Sequence, residues 1–80
     1  MDEYIPVNCN FYDELEALAT MKKHCQIIFR HQNGAISTIR GVIFDLYTLN
    51  KMEYLVMDSG LKIRLDKLIE VDGKDPGNYC

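Results

Sequence analysis

The sequence predicts a mostly β fold carrying one N-terminal α-helix: a small five-stranded barrel capped by that helix. Three observations predict it. Residues 11–21 place apolar side chains at helical spacing, the period changes to two from Cys25 onward, and turn-forming residues cut the remainder into short strands. Eighty residues make one domain spanning the chain, with a core that is small in proportion to its surface.

The helix, about Phe11 to Met21, has Asn10 as its expected N-cap, with Asp13, Glu14 and Glu16 expected in the first turn where negative charge complements the macrodipole. Phe11, Leu15 and Leu18, with the stem of Lys22 and with Ala19 beside them, form the stripe expected on the core. Tyr12, Asp13, Glu16 and Thr20 share another face, aromatic and acidic.

The first strand is expected at Cys25 to His31. Asn33-Gly34 signals a two-residue hairpin, since both central positions of such a turn need positive φ. A second strand, Ala35 to Phe44, contains Gly41, read as the bend or bulge that lets one strand serve two sides of a closed sheet. Residues 45–51 are a connection of undefined shape. A third strand follows at Met52 to Met57, a tight turn at Asp58-Ser59-Gly60, and a fourth strand at Leu61 to Leu65. Asp66-Lys67 is a corner, Leu68 to Val71 the fifth strand, and 72–80, with Gly73, Pro76 and Gly77, a poorly ordered tail. The barrel, about residues 25–71, is of the SH3 or Sm type, because closure removes edges that short hairpins would leave exposed.

Charge is segregated beneath the net value of −3. The first twenty residues carry five acids (Asp2, Glu3, Asp13, Glu14, Glu16) and no Lys or Arg, whereas residues 21–40 carry Lys22, Lys23, Arg30 and Arg40. A nucleic-acid binder usually presents a dominant basic stripe; here the largest block of one sign is negative, so its partner is expected to be cationic. Lys62, Arg64 and Lys67, with Arg30 and Arg40, read first as the solvated face of the sheet and second as a basic patch for RNA.

Several function classes lack support. The three cysteines, Cys9, Cys25 and Cys80, have neither C-x-x-C nor zinc-ligand spacing. His24 and His31 have no nucleophile at a recognisable spacing, and the phosphate-loop, zinc-protease and serine-hydrolase motifs are absent, so no enzyme and no cofactor is expected. Cys9, before the helix, reads as a packing residue. No apolar run reaches the roughly 20 residues that span a bilayer, and a basic-then-apolar leader is missing, so a cytoplasmic location is expected. Among the aromatics, Phe29, Phe44 and Tyr54 sit between aliphatics and are expected in the core.

Tyr4, Pro6, Val7, Asn8, Cys9, Tyr12, Asp13, Leu15 and Glu16, followed by Glu53-Tyr54-Leu55-Val56 and Arg64-Leu65-Asp66-Lys67-Leu68, resemble the Rho-binding antiterminator (Rof-like) family of small bacterial proteins. Between Gln26 and Asn50 the likeness is only of pattern. The resemblance implies an Sm-like barrel and a function: binding the hexameric transcription terminator Rho and blocking its primary RNA-binding site, so that Rho-dependent termination is inhibited. It implies a contact helix presenting Tyr12, Asp13 and Glu16, with Asn8 and Cys9 shaping its start. It also implies a contact role for the loop before the third strand, where Asn50 and Lys51 stand in place of the family's basic pair. The chain is then expected to be a monomer that does not itself bind nucleic acid; the alternative is an Sm-like module for single-stranded RNA.

Overall fold

A computed structural model describes residues 9–74. The helix, α1 (Cys9–Met21), precedes five antiparallel strands: β1 (His24–Arg30), β2 (Ile36–Leu49), β3 (Met52–Met57), β4 (Lys62–Arg64) and β5 (Leu68–Val71), with a 3₁₀ turn at Leu65–Lys67 joining the last two. Helix-plus-five-strand order and the limits of β3 and β5 agree with the sequence expectation.

The helix begins earlier than expected. Asn10 lies inside it rather than capping it, and Asp13, Glu14 and Glu16 fall beyond its first turn, which holds no acid. The expected stripe holds: Phe11 and Leu15 are fully buried and Leu18 nearly so, with α1 packed chiefly on β2. Lys22 does not join the stripe, being exposed and at φ 53°. The bonds Lys22 N–H to Ala19 O and Lys23 N–H to Leu18 O, both 3.2 Å, make a Schellman end. The helix ends at Met21, as expected, with a lysine rather than a glycine in the left-handed position.

The β1–β2 hairpin turns through Gln32, Asn33 and Gly34. Gly34 N–H donates to His31 O at 2.9 Å, Gly34 alone of the three has positive φ, and Asn33 Oδ1 accepts the Ala35 N–H at 3.0 Å. A type I turn followed by a left-handed glycine replaces the expected two-residue turn.

β2 runs on to Leu49, and residues 45–51 are therefore not an open connection. Its first half pairs with β1 and its second with β3. The register slips between Ile43 and Asp45, so the bulge is at Phe44, three residues beyond Gly41. Gly41 has a different duty, because a Cβ there would stand 2.9 Å from Asp58 Oδ1 and 3.2 Å from Met57 Cε. Its lack of a side chain admits the neighbouring hairpin. Asn50 and Lys51, at φ 53° and 66°, form the tight turn into β3.

Strand order is β4-β3-β2-β1-β5, and the sheet does not close. The expected barrel is thus a strongly bent, open sheet whose edge strands are linked by the 3₁₀ turn. The core is Phe11, Leu15, Leu18, Cys25, Ile27, Phe29, Ile43, Leu55, Met57, Ile63, Leu65, Leu68 and Val71. Phe44, expected in that core, is 74% exposed. A bulged residue is rotated out of the inward alternation. Tyr54, also expected there, is only half-buried, on the outer face of β3.

Beyond β5, Asp72 and Gly73 make a second left-handed turn, with Val71 and Lys74 exchanging both backbone hydrogen bonds at 2.9 Å. Lys74 Nζ pairs with Glu14 of α1, and Lys23 Nζ with Asp72 Oδ2 at 3.0 Å. The segment 72–74, expected to be poorly ordered, instead ties the end of the sheet to the helix. The remainder of the expected tail, 75–80, lies outside the described residues.

Candidate functional site

The acids of α1 separate by facing. Glu14 is partly buried and paired with Lys74, whereas Asp13 and Glu16 are exposed. The macrodipole acts within the first turn and fades beyond it, so dipole compensation does little to account for Asp13 and Glu16. Tyr12, one helical turn before Glu16, is half-buried and packs its ring on the edge of the core.

A second element joins this face. The Phe44 bulge brings Phe44, Asp45 and Leu46 against Glu16, Ala19 and Thr20, and these six residues line one shallow recess. Asp45 Oδ1 accepts the Leu46 N–H at 2.8 Å. That bond satisfies a backbone donor beside the bulge, where the ladder is disrupted. It also fixes the carboxylate at the rim, and Asp45 remains exposed.

Tyr12 records the surrounding field. Burial, followed by the carboxylates of Glu16, Glu53 and Asp45, pushes its phenol above the ordinary tyrosine value, because each disfavours a phenolate. Three elements thus converge on one ring: Glu16 from α1, Asp45 from the bulge and Glu53 from β3.

Of the sequence-predicted site residues, Tyr12, Asp13 and Glu16 lie on α1 as expected, the acids outward and the ring half inward. Asn50 and Lys51 form the exposed β2–β3 turn, and Glu53, two residues beyond Lys51, is one of the carboxylates that act on Tyr12. Cys9 is the first residue of α1, and Asn8 lies outside the described residues. Phe44, Asp45 and Leu46 were missed. The net charge of −2 over residues 41–60, from Asp45, Lys51, Glu53 and Asp58, was a visible hint of a second acidic element.

No family model matches the chain, and no curated protein does. Among the described residues there is no group of three or more His, Cys, Asp or Glu placed to hold a metal ion, and no helix is long and apolar enough to cross a membrane. Cys25 is a buried free thiol, pushed above its ordinary pKa by burial and then by Asp72, against a smaller lowering by Lys23; its Sγ lies 3.6 Å from Gly41 O. A thiol held protonated in this way is a packing group rather than a nucleophile.

What the helix and bulge can do together is present negative charge and an open aromatic ring to a cationic surface. Glu16, Asp45 and the open ring of Phe44 share one recess, and Asp13 lies about one turn before Glu16 on the same face of the helix. Phe44 is the most exposed of the large apolar side chains among the described residues, and it stands beside Glu16 and Asp45.

Proposed function

We propose that this protein inhibits Rho-dependent transcription termination by seating its acidic face in the primary RNA-binding site of the Rho hexamer. The observation that carries the reading is the exposed acidic and aromatic surface built by α1 and the Phe44 bulge. It is supported by the resemblance of Tyr4–Glu16 and of the two later segments to the Rof-like family.

A site for single-stranded RNA offers cations to phosphates and apolar or aromatic walls to bases. Asp13, Glu16 and Asp45 stand in for phosphates. The planar group is divided differently from the expectation, because Tyr12 has part of its surface against the core and Phe44 is the open ring. Phe44 therefore takes the place of a base, and Tyr12 contributes the exposed part of its ring. Opposite charges accelerate encounter, and screening over about 8 Å at physiological ionic strength makes that gain salt-dependent.

Displacement of labelled RNA from Rho tests the proposal. Glu16→Lys and Asp13→Lys, both at exposed positions, should retain the parent's thermal unfolding and lose displacement, with the parent's own activity falling as salt rises. Undiminished RNA displacement by Glu16→Lys would overturn it.

A further inference from the structure

We infer that a second surface, opposite in sign to the acidic face, binds single-stranded nucleic acid: phosphates in a cleft between β1 and β4, and bases on a tyrosine row beside it. The expectation from sequence was that this chain does not bind nucleic acid directly, and the inference stands independently of the Rho reading.

The cleft follows from the open sheet. β4 pairs only with β3, and β1 continues past its last β5 partner, Phe29, to Arg30; there β1 and β4 approach without forming a ladder. The resulting depression is lined by Arg30, His31, Lys62, Arg64 and Lys67, with Phe29 and Ile63 beneath, and no carboxylate is among its lining residues. Arg30 and Lys62 are exposed, and neither has an ion-pair partner among the described residues. Of the cations read from sequence as a solvated face, four converge here, whereas Arg40 lies elsewhere, bonded to Gln26 Oε1 at 3.0 Å. Arg64 is paired with Asp66, so the charge the cleft offers a polyanion comes chiefly from Arg30 and Lys62.

The tyrosines give the ligand its class. Strand register places Tyr47 opposite Tyr54, and Tyr54 opposite Arg64, in one row on the outer face of β2, β3 and β4. The two rings are stacked, with centroids 5.2 Å apart and planes 16° from parallel. Arg64 is held by two hydrogen bonds to the Asp66 carboxylate, at 2.6 and 2.8 Å, and both Arg64 and the Tyr54 hydroxyl contact Met52 Sδ. The two rings cover each other's inner faces, so the outer face of Tyr47 and the guanidinium of Arg64 are the planar surfaces left on which bases stack while their phosphates lie in the cleft. Duplex bases are already stacked and cannot use them.

Fluorescence anisotropy with a labelled oligouridylate of about ten nucleotides, a length matched to site sizes on small barrels, tests the inference with the full chain. The expected result is binding at low salt that weakens with rising salt at a slope of roughly −0.7 per phosphate engaged. Arg30→Glu with Lys62→Glu should weaken it by about tenfold or more and flatten the salt slope. Both positions are exposed, so thermal unfolding should be unchanged. Tyr47→Ala should weaken binding while leaving the slope unchanged, and RNA should quench the parent's tyrosine fluorescence. Glu16→Lys, on the acidic face, should bind RNA at least as well as the parent. Absence of binding at low salt, equal binding by the charge-reversed double variant, or equal competition by polyphosphate of matched charge would overturn the inference. Failure of the parent protein to displace RNA from Rho, with its own RNA binding intact, would count against the Rho reading alone.

Discussion

Phe44→Ala separates the functional reading from a packing one more sharply than any charge reversal. Phe44 is 74% exposed, so roughly 150 Å² of a phenylalanine surface of about 200 Å² remains in contact with water. Truncation deprives the free fold of little, and the expected loss of stability is about 0.5 kcal/mol or less, the range of ordinary surface substitutions. If the ring enters an RNA-binding pocket, complete burial would be worth about 3.5 kcal/mol at roughly 25 cal/mol/Å². Half that area engaged gives about 2 kcal/mol, or roughly a 30-fold loss of affinity for Rho. Urea unfolding reads the first quantity, and competition with labelled RNA on purified Rho reads the second. Two results would refute the reasoning: affinity within about twofold of the parent, or destabilisation above about 1 kcal/mol, which would show that the ring packs on the fold.

Three further outcomes follow from the structure. Tyr12 should titrate above the ordinary tyrosine value of about 10, and Glu16→Gln should bring it down, as followed by ultraviolet absorbance. Because its folded pKa is raised, Tyr12 contributes stability that is fully present below the unfolded value of about 10 and is lost as pH rises through the folded one. Tyr12→Phe should accordingly flatten the fall of the urea midpoint in that alkaline window, and an unchanged profile would count against the half-buried placement of the ring among carboxylates. Leu15→Ala, at a fully buried position joining α1 to the sheet, should cost about 2 to 5 kcal/mol in denaturant unfolding. Cys25 should react with a disulfide reagent only on the timescale of unfolding, as seen by mapping the labelled peptide with and without denaturant. Rapid native-state labelling would contradict its burial.

The elements legible from sequence are those whose signal is local. Phe11, Leu15 and Leu18 at helical spacing specify a buried stripe wherever the helix packs. The glycine at 60 marks the β3–β4 turn by its need for positive φ. Several misreadings share one cause, which is left-handed backbone at residues other than glycine. Lys22 turns out of the helix and so off the core stripe, and Asn50-Lys51 and Asp72-Gly73 close tight turns, so that residues 45–49 are strand rather than connection and 72–74 an ordered turn rather than a loose tail. Such conformations cost the chain energy locally and persist only because pairing on both sides demands them.

The sequence alone determined that an acidic helix face exists, because side chains three and four apart share a face regardless of what the helix packs on. It also determined that every Lys and Arg lies outside that helix. Only the tertiary structure decided what each charge meets. A one-residue register slip at Phe44 turned an apparent core ring outward and set Asp45 beside Glu16, and the failure of β4 to pair beyond β3 left a gap in which Arg30 and Lys62 gather. Both events depend on contacts between strands distant in sequence, and no local pattern of residues records where a ladder slips or stops.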